Sequence, residues 1–132
     1  MITEDYVSFE TAKLLKEKRF DERCLYYYED NTSYNNVVIK FSSWFDNKKY
    51  SNSEIGRRYT APTLQMAMKW LREVYKIFIE ISVSIDLNGN YHYSYFILNR
   101  ECKYIRKGYT DFNWNYEQAC EAALKYCLEN II

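Results

Sequence analysis

The sequence predicts an α+β fold: an antiparallel sheet with helices packed on one face, in the order α-β-β-α-β-β-β-α. Three observations carry that expectation. Apolar residues recur at helical spacing in three stretches, near residues 8–19, 62–76 and 115–131. Between the last two, Ile77 to Asp86 switches to strict alternation of apolar and polar side chains. Only three glycines and one proline punctuate a 132-residue chain that is 48% apolar and 19% aromatic, a composition that excludes disorder. At this length one domain, residues 1–132, is expected, able to bury a core without a disulfide or a metal staple.

Taken in order, Ser8 reads as the N-cap of a helix reaching Arg19, with Glu10 in its first turn and Phe9, Ala12 and Leu15 on one stripe. Cys24 to Glu29 and Val37 to Phe41 read as strands, with the polar stretch Asp30 to Asn36 turning between them. Residues 42 to 60 form the longest irregular stretch, a length that in a small domain points to function or mobility. Pro62 suits the first position of the second helix, where a missing N–H leaves no bond unmade. Leu64, Ala67, Met68, Leu71, Val74 and Tyr75 mark its core-facing stripe.

In the alternating strand Ile79, Ile81, Val83 and Ile85 share one face, and Asp86-Leu87-Asn88-Gly89 supplies the turn. A two-residue Asn88-Gly89 loop sets Ile85 against His92, apolar against polar. A three-residue loop with Gly89 left-handed sets Ile85 against Tyr91, Val83 against Tyr93 and Ile81 against Tyr95. The second register is expected, because a one-residue slip moves every side chain to the other face. It places Tyr91, Tyr93 and Tyr95 in the core. A third strand, Cys102 to Lys107, continues the meander. Asn115 and Gln118 have capping-box spacing ahead of a helix whose stripe is Tyr116, Cys120, Ala123, Leu124, Cys127, Leu128 and Ile131.

Three segments together resemble a family of short uncharacterised proteins of phages, prophages and mobile elements in Bacteroidetes. They are Ser8 to Lys18, the block Ala61-Pro62-Thr63 followed by Lys69-Trp70-Leu71-Arg72-Glu73, and Tyr116-Glu117-Gln118-Ala119. The resemblance implies a phage or prophage setting in a bacterial host, and no known activity or site residue. It also implies a glycine ending the first helix, where this chain has Arg19.

The chemistry-bearing residues exclude more than they indicate. Cys24, Cys102, Cys120 and Cys127 form no paired spacing that zinc would need, so no metal is expected, and Cys120 and Cys127 fit buried thiols. No phosphate-loop, dinucleotide or metalloprotease motif is present, so neither a cofactor nor an enzyme is expected. The acidic N-terminus carries no signal-peptide pattern, and no apolar run reaches the ~20 residues of a membrane helix, so a cytoplasmic protein is expected. His92, the one histidine, faces Ser84 in the expected register without an orienting acid, and reads as a surface residue.

Two binding surfaces remain. The expected function is a non-enzymatic protein-interaction module acting through the first, and the alternative is a nucleic-acid-binding accessory protein using the second, the basic and aromatic stretch 44–60. On the outer sheet face Phe78, Phe96 and Leu98 form a candidate protein interface, for a partner or a second copy. In the irregular stretch Trp44, Lys48, Lys49, Tyr50, Arg57, Arg58 and Tyr59 form a candidate nucleic-acid contact, bases for phosphates and rings for stacking. The 18 basic and 18 acidic residues cancel, which excludes a uniformly basic binder, but Asp46 to Lys76 carries +4 and Arg100 to Lys107 carries +3.

Overall fold

The computed structural model describes residues 1–31, 36–41, 48–108 and 114–132. Its elements are α1 (Phe9–Glu17), β1 (Tyr26–Asn31), β2 (Asn36–Phe41), β3 (Tyr59–Thr60), α2 (Leu64–Trp70), a π-helical turn (Leu71–Tyr75), β4 (Phe78–Ile85), β5 (Tyr91–Leu98), β6 (Tyr104–Gly108) and α3 (Tyr116–Asn130). This is the α+β class in the expected order, with β3 added from within the stretch read as irregular. The strands divide between two antiparallel sheets, β2-β1-β3 and β4-β5-β6. β1 is the central strand of the first sheet, paired with β2 on one edge and β3 on the other. The chain accordingly divides into two compact units, Met1–Thr63 and Leu64–Ile132.

In the first unit Ser8 caps α1 by accepting from the Thr11 amide at 3.2 Å. The helix closes with paired bonds, Arg19 N–H to the Lys16 carbonyl at 3.0 Å and Phe20 N–H to the Leu15 carbonyl at 2.9 Å. That is a Schellman ending, and it requires a left-handed residue, here Arg19 at φ +65°. Leu15 and Phe20 are fully buried and staple the ending from inside. The helix thus ends just ahead of Arg19, where the family resemblance places a glycine. The Tyr28 hydroxyl donates to the Val7 carbonyl at 2.7 Å, and the Phe9 ring meets Tyr28 and Tyr59 edge-on. Cys24, read as the start of a strand, instead makes an isolated bridge with Tyr50. The turn between β1 and β2 lies largely outside the described residues.

Two expectations for the second helix are corrected. Pro62 is not its first residue. An isolated bridge between Tyr6 and Thr63 keeps the chain extended that far, and the buried Pro62 accepts from the Val7 amide instead. Leu64, Ala67, Met68 and Leu71 are buried as expected, but Val74 and Tyr75 are exposed. The cause is the π-helical turn from Leu71 to Tyr75, whose wider i→i+5 bonding rotates a 3.6-residue stripe off the core.

The β4–β5 hairpin has the expected register, Ile85 opposite Tyr91, Val83 opposite Tyr93 and Ile81 opposite Tyr95. Gly89 is left-handed at φ +81°, and the Asp86 amide donates to the Asn90 carbonyl at 2.9 Å, closing the three-residue loop. Asn115 and Gln118 exchange both bonds of a capping box. From there α3 buries Cys120, Ala123, Leu124, Cys127 and Leu128 as expected, whereas Tyr116 at the helix start is exposed. The helix packs on β4 and β5. Gly108 is paired with Tyr95, whose ring occupies the space where a Cβ would stand.

Burial along the hairpin is uneven. Ile97 and Tyr95 are 0% and 4% exposed, whereas Val83, Ile85 and Tyr91 are 55%, 61% and 66% exposed. The expectation that all three tyrosines are core is therefore corrected: Tyr95 alone is buried, stacked on Trp114 at 6.0 Å. Tyr93 is half-buried against Tyr116. Matching faces fix which side each residue takes, but α3 covers only part of the strands' length.

Candidate nucleic-acid interface

The segment from Lys48 to Arg58 follows an irregular path that is tied down residue by residue. Tyr50 exchanges backbone bonds with Cys24 at 2.8 and 3.0 Å. The buried Asn52 side chain donates to the Phe20 carbonyl at 2.8 Å and accepts from the Thr60 amide at 2.9 Å. Asp21 accepts from the Ser53 amide and hydroxyl at 2.8 and 2.9 Å, which holds its carboxyl below the usual range. The Lys16 ammonium reaches across from α1 to the carbonyls of Gly56 and Arg58, and burial lowers its pKa. A segment without regular structure is in this way given fixed backbone positions.

That scaffold shapes a cavity of about 540 Å³ lined by Tyr27, Tyr50, Glu54, Ile55, Arg57 and Arg58, within the size range of small-molecule and nucleotide sites. Tyr27 enters from β1. Its neighbours Tyr26 and Tyr28 turn the other way, to Tyr6 and Phe9, because side chains alternate along a strand. The Arg58 guanidinium lies over the Tyr27 ring at 5.1 Å and meets Glu29 at 3.1 Å. The Lys48 ammonium lies over the Tyr50 ring at 5.3 Å. Glu54, the one acid in the lining, is paired with Arg23 at 3.3 Å. Arg57 is exposed and has no carboxylate partner among the described residues.

Of the residues singled out for nucleic-acid contact, Tyr50, Arg57 and Arg58 converge on this cavity. Lys48 joins them through Tyr50, and Lys49 is exposed beside it. Tyr59 does not line it, since its ring packs on Phe9 at 5.5 Å and under Lys16 at 5.1 Å. Trp44 lies outside the described residues. Sequence reasoning missed Tyr27, although the alternation within Tyr26-Tyr27-Tyr28 turns the middle ring away from its neighbours.

The second candidate surface lies on the outer face of β4-β5-β6. Phe78, Phe96 and Leu98 are half-buried there. Tyr104 stands edge-on to Phe96 at 5.5 Å and donates from its hydroxyl to Glu80 at 3.3 Å. Farther along the same face of β5, at the turn end, His92 does have an acid partner, contrary to expectation: its Nε2 is 2.8 Å from Asp86 Oδ2. Asp86 Oδ1 also accepts from the amides of Asn88 and Asn90, so the carboxylate clamps the hairpin turn. These bonds, His92's foremost, push the Asp86 pKa down to about 2. The clamp is at full strength above the ordinary carboxylate range and is lost as pH falls towards that value.

The cysteines behave as buried thiols where the helix stripe placed them. Burial pushes Cys24 and Cys120 up to about 11 and Cys127 to about 12. Among the described residues no cluster of three or more metal-ligating side chains occurs, and no helix is long and apolar enough to cross a membrane. No family model matches this chain, and neither does any curated protein or solved structure.

Proposed function

We propose that the protein binds single-stranded nucleic acid, with the Tyr27, Tyr50, Arg57 and Arg58 cavity taking one base and its phosphate. The observation that carries this reading is the convergence of two tyrosines and two arginines on one cavity whose acid is already neutralised by Arg23. Aromatic rings and guanidinium planes stack on any base, and a cation without a carboxylate partner is the group a phosphate takes. Lys48 and Lys49 extend the positive rim for the neighbouring phosphates. In this reading the protein works in the cytoplasm of a bacterial host, the setting implied by the phage-type resemblance, and carries no catalytic role. A protein partner on the outer face has less support, because Phe78, Phe96 and Leu98 are half-buried and Phe96 meets Tyr104 edge-on.

Fluorescence polarisation with labelled single-stranded and duplex oligonucleotides tests it. Single strands bind more tightly than duplex. Tyr50→Ala and Tyr27→Ala each weaken binding about 5- to 150-fold, the range of one base stack. With three phosphate contacts, from Arg57, Lys48 and Lys49, log affinity falls with log salt at a slope of about −2, and Arg57→Gln flattens it by about 0.7. Absence of binding at low salt, or binding indifferent to all three substitutions, removes the reading.

A further inference from the structure

Among the described residues β4 pairs with β5 alone, so its other edge is open. Edge strands of soluble proteins are commonly blunted by lysine, proline or a bulge. Phe78-Ile79-Glu80-Ile81-Ser82-Val83-Ser84-Ile85 carries none of these in its pairing with β5, and Glu80 is its one charge. The bond from the Asp86 amide to Asn90 fixes which backbone groups point outward. Alternating from there, the even-numbered residues bond to β5, and Ile79, Ile81, Val83 and Ile85 direct their N–H and C=O groups to the open edge.

The same strand is unevenly covered. Where it lies opposite Tyr95 and Ile97, Ile79 and Ile81 are half-buried; beyond that Val83 and Ile85 are exposed, as is Tyr91 beside Ile85. The strand thus carries a covered half and a bare half of one apolar face.

We infer that this edge pairs with a second copy of itself, antiparallel, about a two-fold axis through Ser82. In that register Ile81 lies opposite Val83 of the other copy and Ile79 opposite Ile85, so apolar residues share a face and the outward-pointing groups meet. Glu80 falls opposite Ser84 and Phe78 opposite Asp86, with no like charges facing. A register centred between Ile81 and Ser82 sets Ile81 against Ser82, Val83 against Glu80 and Ile79 against Ser84, and turns groups already bonded to β5 toward the partner. The two-fold also brings the helix-covered half of each strand beside the bare half of the other, so each α3 extends over the neighbour's Val83 and Ile85. A second copy is the occupant this edge fits, because the surface is complementary to itself in both register and cover.

Sedimentation equilibrium over micromolar to sub-millimolar protein, with disulfide trapping, tests the inference. The unmodified chain is expected to sediment as a concentration-dependent dimer. Val83→Pro removes an outward N–H without touching the bonds to β5, and is expected to be monomeric. Trapping uses a Cys102→Ser background, because Cys102 is the one exposed thiol. There Ser82→Cys meets its own mate as a non-hydrogen-bonded pair at about 4.5 Å between Cα atoms, within disulfide range. Two copies of Ser84→Cys stand four residues apart along the strands, roughly 13 Å, and are not expected to link. A strict monomer, a dimer that persists in Val83→Pro, or trapping at Ser84→Cys equal to that at Ser82→Cys overturns it. If Val83→Pro loses its circular dichroism, the trapping comparison decides alone. Both readouts are taken without nucleic acid, so they do not depend on the cavity of the first unit.

Discussion

Replacing Arg19 with glycine isolates the backbone cost of the first helix ending. The α1 terminus is closed by two bonds that demand a left-handed residue, and an arginine supplies it at φ +65°. For an L-residue that conformation costs about 1–2 kcal/mol, because Cβ crowds the following carbonyl. Glycine has no Cβ but is freer in the unfolded chain, which takes back about 0.4–1 kcal/mol. The Arg19 side chain is exposed, so the exchange removes no buried contact. Arg19→Gly is therefore expected to stabilise by about 0.5–1 kcal/mol net. With a urea m-value of about 1–3 kcal/mol/M, the midpoint moves up by roughly 0.2–1 M at unchanged slope. Arg19→Ala keeps the Cβ and is expected to gain nothing. Urea unfolding followed by tyrosine and tryptophan fluorescence compares the three proteins. The reasoning fails if glycine gives no gain, or if alanine gives the same one.

Two further outcomes follow from close packing and from burial. Gly108→Ala puts a methyl group into the Tyr95 ring and is expected to cost about 1–3 kcal/mol in urea unfolding, the range for overpacking. A neutral result would mean that the ring is not held over that position. With a thiol-reactive dye at mildly alkaline pH, Cys102 is expected to react at once. Cys24, Cys120 and Cys127, buried and with pKa values raised to about 11 or 12, should wait for unfolding, and a second fast thiol would contradict their burial.

What was legible in the chain was whatever short-range geometry decides. The Asn115 to Gln118 spacing closes a capping box, and face matching alone selects the hairpin register with Gly89 left-handed. What was not legible depends on how far one element extends over another. Alternation gives Val83 and Ile85 the same status as Ile79, yet exposure separates them, because no periodicity states where α3 stops covering the strand. The π-helical turn defeats the second helix in a different way. A stripe written at 3.6 residues cannot announce that its last five residues wind more widely, and Val74 and Tyr75 are displaced as a result. Likewise, Pro62 is suited to a helix start by its own geometry, and long-range pairing of Tyr6 with Thr63 overrides it.

For the candidate site, charge counting and charge availability are different quantities. The +4 of Asp46 to Lys76 located the basic region, but four cations within or beside it are already engaged. Arg58 meets Glu29, Lys48 faces the Tyr50 ring, Lys16 meets two carbonyls and Arg23 holds Glu54. These engagements build the cavity wall rather than weaken the site. Each fixes a ring or a backbone segment, and Glu54 is neutralised before any ligand arrives. Arg57 is left as the cavity's cation without a carboxylate partner among the described residues, on a wall already ordered. A preformed wall costs less ordering entropy on binding, so a small local excess of charge suffices where the whole chain is neutral. Zero net charge accordingly limits long-range attraction and the rate of encounter, and the affinity of a site of this kind rests on stacking in the cavity.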